Sequence, residues 1–107
     1  MKLLEPEFVH TDNRRKLEQL VTDGIKQVNV YHAKKGARLG DHFHKKTTEY
    51  FYIAKGSVTY NDSQVINKGS IFVVYPQEKH TIGCLTDVTM MTFLTHPYKE
   101  EDKDIYE

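Results

Sequence analysis

The chain has 107 residues, with 15 Lys and Arg set against 15 Asp and Glu, so its formal net charge is zero. A balanced surface offers no field to hold a nucleic acid or an anionic membrane, and no basic, aromatic-rich segment compensates, so neither is expected as a partner. With 38% hydrophobic and 28% charged residues, the composition suits one small domain over residues 1–107 with a partly polar interior better than a fully apolar sandwich.

At the N-terminus Leu3-Leu4 is followed at once by Glu5, Pro6 and Glu7, which leaves no apolar run of signal-peptide or transmembrane length. A cytoplasmic location is the expectation. Residues 1–24 read as an N-terminal arm or strand. Within them, Leu17, Leu20 and Val21 have helical spacing, with Asp12 as an N-cap and Gly24 as a stop, while Leu17, Gln19 and Val21 fit a strand equally well. Periodicity leaves both open.

From residue 25 to 97 the pattern is β throughout. Val28 to Tyr31 alternates, Glu49 to Lys55 is rich in aromatic and β-branched residues, and Ser57 to Tyr60 runs into the turn Asn61-Asp62-Ser63. Gln64 to Ile66, the turn Asn67-Lys68-Gly69, the run Ile71 to Tyr75 ended by Pro76, His80 to Ile82, and Val88 to Thr95 follow. At least seven short strands at this spacing predict an all-β, antiparallel sandwich or barrel. Gln27, Asn29 and Tyr31 share one face of their strand, which is either a cavity wall, with Tyr31 a catalytic candidate, or the solvent side. Residues 98–107, with six consecutive charged side chains from Lys99 to Asp104, read as a solvated tail. The single Cys84 forms no internal disulfide, agrees with a reducing compartment, and reads as a small core residue.

His42, His44, Glu49 and His80 carry the chemistry. In a strand, alternate side chains share a face, so His42-Phe43-His44 aims two imidazoles into one space, about 7 Å apart at Cα, with Phe43 packed on the other side. Glu49, on the same strand's continuation or the next, shares a face with Phe51 and Ile53, while Tyr50 and Tyr52 point the other way as packing or subunit-contact residues. Three imidazoles and one carboxylate are a donor set for a single divalent transition metal, leaving one or two positions open; Mn, Fe, Ni, Co and Zn all suit it. His10, His32 and His96 lie apart and are not expected as ligands.

The spacing around these residues resembles the cupin superfamily. Gly36, five residues, His42, one, His44, four, Glu49, six, and Gly56 reproduce that family's first motif. Gly69, Pro76 and His80 match the second in kind, with departures: six residues separate Gly69 from Pro76, Glu78 stands where a glycine is usual, and Cys84 stands where an asparagine is usual. The resemblance implies a jelly-roll β-barrel with His42, His44, Glu49 and His80 as metal ligands. A weaker resemblance, over Asp12 to Leu20, Ile25 to Val30 and Gly36 to Lys45, is to the cupins of deoxysugar-nucleotide biosynthesis: 3,5-epimerases, 3,4-ketoisomerases and capsular-polysaccharide cupin domains. It implies an isomerase or epimerase acting on a carbonyl-containing sugar or nucleotide-sugar, with a cavity histidine, His42 or His44, moving a proton beside a ketone. A histidine titrating near neutrality suits that task.

Those families carry an Arg immediately before the Gly that precedes the His motif. Here Leu39-Gly40 holds that place and the Arg is one residue earlier, at Arg38, an offset that on a regular strand reverses the face. Two other classes fit the same residues: an Fe(II)-dependent dioxygenase of a small molecule, and a non-catalytic small-ligand-binding or sensing protein. In every case the partner is a small molecule. A homodimer is expected as well, because a second copy readily covers the sheet edges of so small a barrel.

Overall fold

The computed structural model describes residues 1–107 as eleven strands: β1 (Lys2–Leu4), β2 (Phe8–Thr11), β3 (Lys16–Gln19), β4 (Gln27–Ala33), β5 (Arg38–His42), β6 (Glu49–Lys55), β7 (Ser57–Tyr60), β8 (Gln64–Asn67), β9 (Ile71–Val74), β10 (His80–Cys84) and β11 (Val88–Leu94). They form a five-stranded sheet in the order β1-β9-β6-β11-β4, a four-stranded sheet in the order β5-β10-β7-β8, and a separate β2-β3 hairpin. All pairings are antiparallel. This is the all-β antiparallel architecture expected from the strand spacing, in the two facing sheets of the jelly roll that the family resemblance implies. No helix is long and apolar enough to cross a membrane.

Alternation sorts the side chains. Along β6, Glu49, Phe51 and Ile53 are buried between the two large sheets, while Tyr50 and Tyr52 are half-buried on the outer face, as the pattern predicts. The core between the sheets draws Phe51, Ile53, Phe72, Val74, Val88 and Met90 from one sheet and Val58, Tyr60, Ile66, Ile82 and Cys84 from the other. Phe51 and Phe72 stack across the β6-β9 ladder with centroids 4.6 Å apart. Fully burying each large apolar side chain stabilises the fold by about 2 kcal/mol before entropy is counted. Cys84 is buried in this core as expected, and burial pushes its thiol pKa up.

The turns follow from their residues. Asn61 and Asp62 both lie at positive φ, 50° and 61°, and Ser63 N–H donates back to the Tyr60 carbonyl, closing the three-residue turn between Tyr60 and its partner Gln64. Gly56 is required at φ 87°, because a Cβ there would sit 2.2 Å from the Asp87 carbonyl oxygen.

Two readings are resolved or corrected. Segment 12–23 holds a strand, β3, and no helix. Asp12 does not cap a helix but accepts from the N–H groups of Arg14 and Arg15, which closes the β2-β3 turn. The tail is not wholly solvated. Lys99 to Lys103 is exposed, but Asp104 is only 6% exposed, and Phe43 and Tyr106 form an antiparallel bridge with reciprocal bonds of 2.8 and 3.0 Å. The physical reason is that backbone donors of the 45–47 loop find no ladder partner and take Asp104 instead.

Candidate functional site

At one end of the space between the sheets the core gives way to a cavity of about 680 Å³. Gln27, Asn29 and Tyr31 of β4 form one wall, Leu39, Gly40 and His42 of β5 the facing one, and His44, Glu49 and His80 lie between them. The open choice for β4 is thereby settled: Gln27, Asn29 and Tyr31 face the cavity. They are linked side chain to side chain, Gln27 Nε2 donating to Asn29 Oδ1 at 3.0 Å and Asn29 Nδ2 to Thr92 Oγ1 at 3.3 Å. Burial, followed by the Glu49 charge, raises the Tyr31 phenol pKa.

A bulge places His42. Gly40 and Asp41 both adopt positive φ, 92° and 73°, where the β5-β10 register shifts between Thr81 opposite Gly40 and His80 opposite His42. The extra residue brings Leu39 and His42, three apart, to the same side. Arg38 and Leu39 precede the bulge in regular register opposite Gly83 and Ile82, so the one-residue offset does turn Arg38 away from the inward face, which Leu39 takes. Arg38 lies at the cavity rim with Nη1 2.5 Å from Asp62 Oδ1. A Cβ on Gly40 would meet the His80 carbonyl oxygen at 3.0 Å, so the bulge also needs its glycine.

His44 lies just beyond the end of β5, not on one strand with His42, and Glu49 opens β6. The loop between them is tight enough to bring both to one centre. His44 Nε2 lies 3.2 Å and His80 Nε2 3.5 Å from Glu49 Oε1. The His42 ring centroid is 5.0 Å from that of His44 and 4.8 Å from that of His80. One donor nitrogen from each of the three histidines lies within 4.8 Å of the others. All four predicted residues thus converge, whereas His10, His32 and His96 pair elsewhere, with Asp12, Thr89 and Thr95.

Second hydrogen bonds orient two rings. His44 Nδ1 donates to the Asp104 carbonyl at 2.7 Å, and His80 Nδ1 to that of Glu78 at 3.2 Å. A carbonyl only accepts, so each Nδ1 carries the proton and Nε2 is the atom turned to the centre. The charges are tuned in opposite directions. Burial alone would lower the His44 pKa, but its bonds to Glu49 and Asp104 raise it. Burial would raise that of Glu49, but the bonds from His44 and His80 lower it. His42 is lowered, first by burial and then by the His80 and His44 charges, which keeps its imidazole neutral.

Residues that sequence reading missed also line or hold the site. Tyr98 and Ile105 line the cavity, Tyr98 N–H donating to Gln27 Oε1 at 2.7 Å. The only local signal was the apolar pair Ile105-Tyr106 closing a charged run.

No family model matches the chain, and no curated protein matches it by sequence. Solved structures do. The chain is similar to a 3,4-ketoisomerase from Helicobacter canadensis (17% identity, TM-score 0.78, covering 97% of this chain and 87% of that one). It is similar to a dTDP-4-dehydrorhamnose 3,5-epimerase from Sulfolobus tokodaii (17%, 0.74, 94% and 73%). It is also similar to the capsular polysaccharide assembling protein CapF from Staphylococcus aureus (22%, 0.66), where 98% of this chain covers 34% of CapF, so the chain spans about a third of that protein's length. Taken with the two facing antiparallel sheets and the cavity between them, these likenesses show that the chain has the cupin jelly-roll fold.

Proposed function

We propose that the cavity takes a carbonyl-containing sugar, in nucleotide-linked form, and isomerises or epimerises it by moving a proton on the carbon beside the carbonyl. The observation that carries this is the convergence of three imidazoles and one carboxylate at a cavity otherwise walled by amides, a phenol and apolar side chains. The solved epimerase and ketoisomerases of like fold support it, one ketoisomerase having been solved in complex with TDP.

We further propose that His42, His44, Glu49 and His80 hold one divalent transition ion, Mn, Fe, Ni, Co or Zn. Ligand atoms around such an ion stand about 3 to 3.5 Å apart given bonds of about 2.0 to 2.2 Å. His44 Nε2 and His80 Nε2 stand 3.2 and 3.5 Å from Glu49 Oε1, at that spacing, and the three imidazole nitrogens lie within 4.8 Å of one another, a cluster an ion would draw tighter. A bound ion supplies Lewis acidity to the substrate carbonyl oxygen. The imidazoles would then be committed as ligands, and Tyr31, on the same cavity wall with its phenol pKa raised, would serve as an acid that returns a proton, not as the base. In the ion-free site His42, whose lowered pKa favours the neutral ring, is the base for the carbon-bound proton, and His44, whose pKa Glu49 and Asp104 raise, is the acid that returns one. In the ion-free route the carbon-bound proton leaves to His42, electrons move onto the carbonyl oxygen, and a proton returns to carbon from the other side or at the neighbouring position.

The experiment incubates the untagged protein with nucleotide-linked 4-ketosugars in deuterium oxide and measures label at C3, alongside elemental analysis. Exchange supports the reading. Absence of exchange across several such sugars removes it, and one equivalent of iron with oxygen consumption replaces it with dioxygenase chemistry. Two copies are proposed to pair through the outer face of the five-stranded sheet, where Val28 and Val30 are 52% and 54% exposed beside Tyr50 and Tyr52. Light scattering checks it; a monomeric mass excludes it.

A further inference from the structure

Three consecutive backbone N–H groups, those of Lys45, Lys46 and Thr47, donate to the one carboxylate of Asp104 at 2.9, 3.1 and 2.9 Å, and the Thr47 hydroxyl adds a fourth bond at 2.8 Å. These residues are the chain between His44 and Glu49. Asp104 itself is buried and held at φ 53°, a left-handed conformation uncommon outside glycine and tolerated by Asp. In that conformation a single residue presents its carboxylate to the loop and its carbonyl oxygen to His44 Nδ1 at 2.7 Å. The neighbouring residues fasten it down. Phe43 and Tyr106 bridge backbone to backbone with their rings stacked 5.6 Å apart, and Lys45 Nζ lies 4.2 Å over the Tyr106 ring.

The sequence separation is 57 to 60 residues, so no local rule brings Asp104 here. A loop clamp alone would need the carboxylate and nothing more. The added carbonyl contact does something a clamp does not: it selects which nitrogen of His44 carries the proton, and therefore which one faces the centre. We infer that Asp104 is the positioning residue of the site, fixing the His44 tautomer and aim through its carbonyl while its carboxylate holds the loop from His44 to Glu49 in register. Its metal-affinity consequence rests on the ion proposed above; its tautomer consequence does not.

The test uses the full-length chain, nitrogen-15 labelled and metal-free, at a pH above the imidazole range, with two readouts: the tautomer of His44 from ring-nitrogen shifts, and Zn²⁺ affinity by competition with a chelating dye. Asp104→Gly keeps the left-handed backbone and its carbonyl but deletes the carboxylate whose bonds to residues 45–47 hold that carbonyl against His44, and Asp104→Asn keeps part of the acceptor set. The expectation is a single Nδ1–H tautomer in the parent chain and a mixture in Asp104→Gly. Zn²⁺ binding should weaken by roughly ten-fold or more in Asp104→Gly, as for other partners that orient a metal-binding histidine, with Asp104→Asn between. An unchanged His44 tautomer in Asp104→Gly overturns the inference even if Zn²⁺ affinity falls, because a clamp alone explains that result. If Asp104→Gly does not fold, Asp104→Asn decides, and an unaltered tautomer and affinity there overturn it. If the parent chain binds no Zn²⁺ yet the tautomer mixes in the variant, the positioning role stands and the metal reading falls.

Discussion

The two ends of the space between the sheets are built by the same strands with opposite chemistry. Along β6 the inward side chains run Ile53, Phe51, Glu49; along β10 they run Cys84, Ile82, His80; along β11 they run Val88, Met90, Thr92. At the first end everything is apolar and packed, and at the second the positions are just as buried but polar: Glu49 is 7%, His80 2% and Thr92 0% exposed. Burying polar groups costs free energy unless each finds a partner, and here no buried side-chain nitrogen or oxygen lacks one. One end therefore supplies stability and the other is organised for chemistry, at no gain to the fold.

That division is broken most forcefully at the hollow end. Replacing His42 and His44 together by Ala should take bound ion from one per chain to none by elemental analysis. In the parent protein, Zn²⁺ at a thousandfold excess over its dissociation constant should stabilise the fold by about 4 kcal/mol, because only the native state holds the ion. The double variant should gain nothing from the same addition in thermal unfolding. A retained ion would show that the site is not built by these side chains. The packed end is broken by Ile53→Ala, which removes a side chain with 0% exposure. It should cost about 3 kcal/mol in urea unfolding through lost burial and the cavity left behind. Zn²⁺ affinity of the folded variant should change less than three-fold, since Glu49 lies four residues away along β6 and the loop holding His44 is untouched. A parallel loss of affinity would mean that the two ends form one cooperative unit.

How much of this was legible in sequence differs between the ends for a physical reason. β4 and β6 to β11 were readable because alternation and turn residues act within a few positions, as at Asn61-Asp62 and at Glu49-Phe51-Ile53. That His42, His44, Glu49 and His80 come together was readable from their types and their motif spacing; the ligand role is the proposal made above. What was hidden depends on distant partners. The Gly40-Asp41 bulge exists only in register with β10, so alternation alone could not show that His42 follows Leu39 onto the cavity side. β1 and β2 are three- and four-residue strands with mostly exposed side chains, too short and too wet for a periodic signal. Asp104 sat in a run of charges whose plainest reading is solvation, and only the unpaired N–H groups of residues 45–47, brought close by folding, give it a buried role.

The same residue gives the smallest effect and the finest test of the division, because it is a hollow-end group that also contributes to stability. Burial alone would raise the Asp104 pKa. The Thr47 hydroxyl and the backbone N–H groups of Lys45, Thr47 and Lys46 reverse this and hold it at about 2, against 3.8 for a free Asp. A carboxyl whose pKa is lower folded than unfolded stabilises the protein above its unfolded pKa, and that contribution disappears as pH falls through the folded value. The window is therefore between about pH 4 and pH 2, where protons would compete away any bound ion. Discounted for solvent screening, the contribution is about 1 kcal/mol. Urea titrations across that window should show the parent chain losing this much more stability than Asp104→Asn, with the two curves running parallel above pH 5. Parallel curves throughout would mean that the carboxylate carries no net charge-dependent stabilisation. The 45–47 loop would then be held by the neutral hydrogen bonds an asparagine also makes.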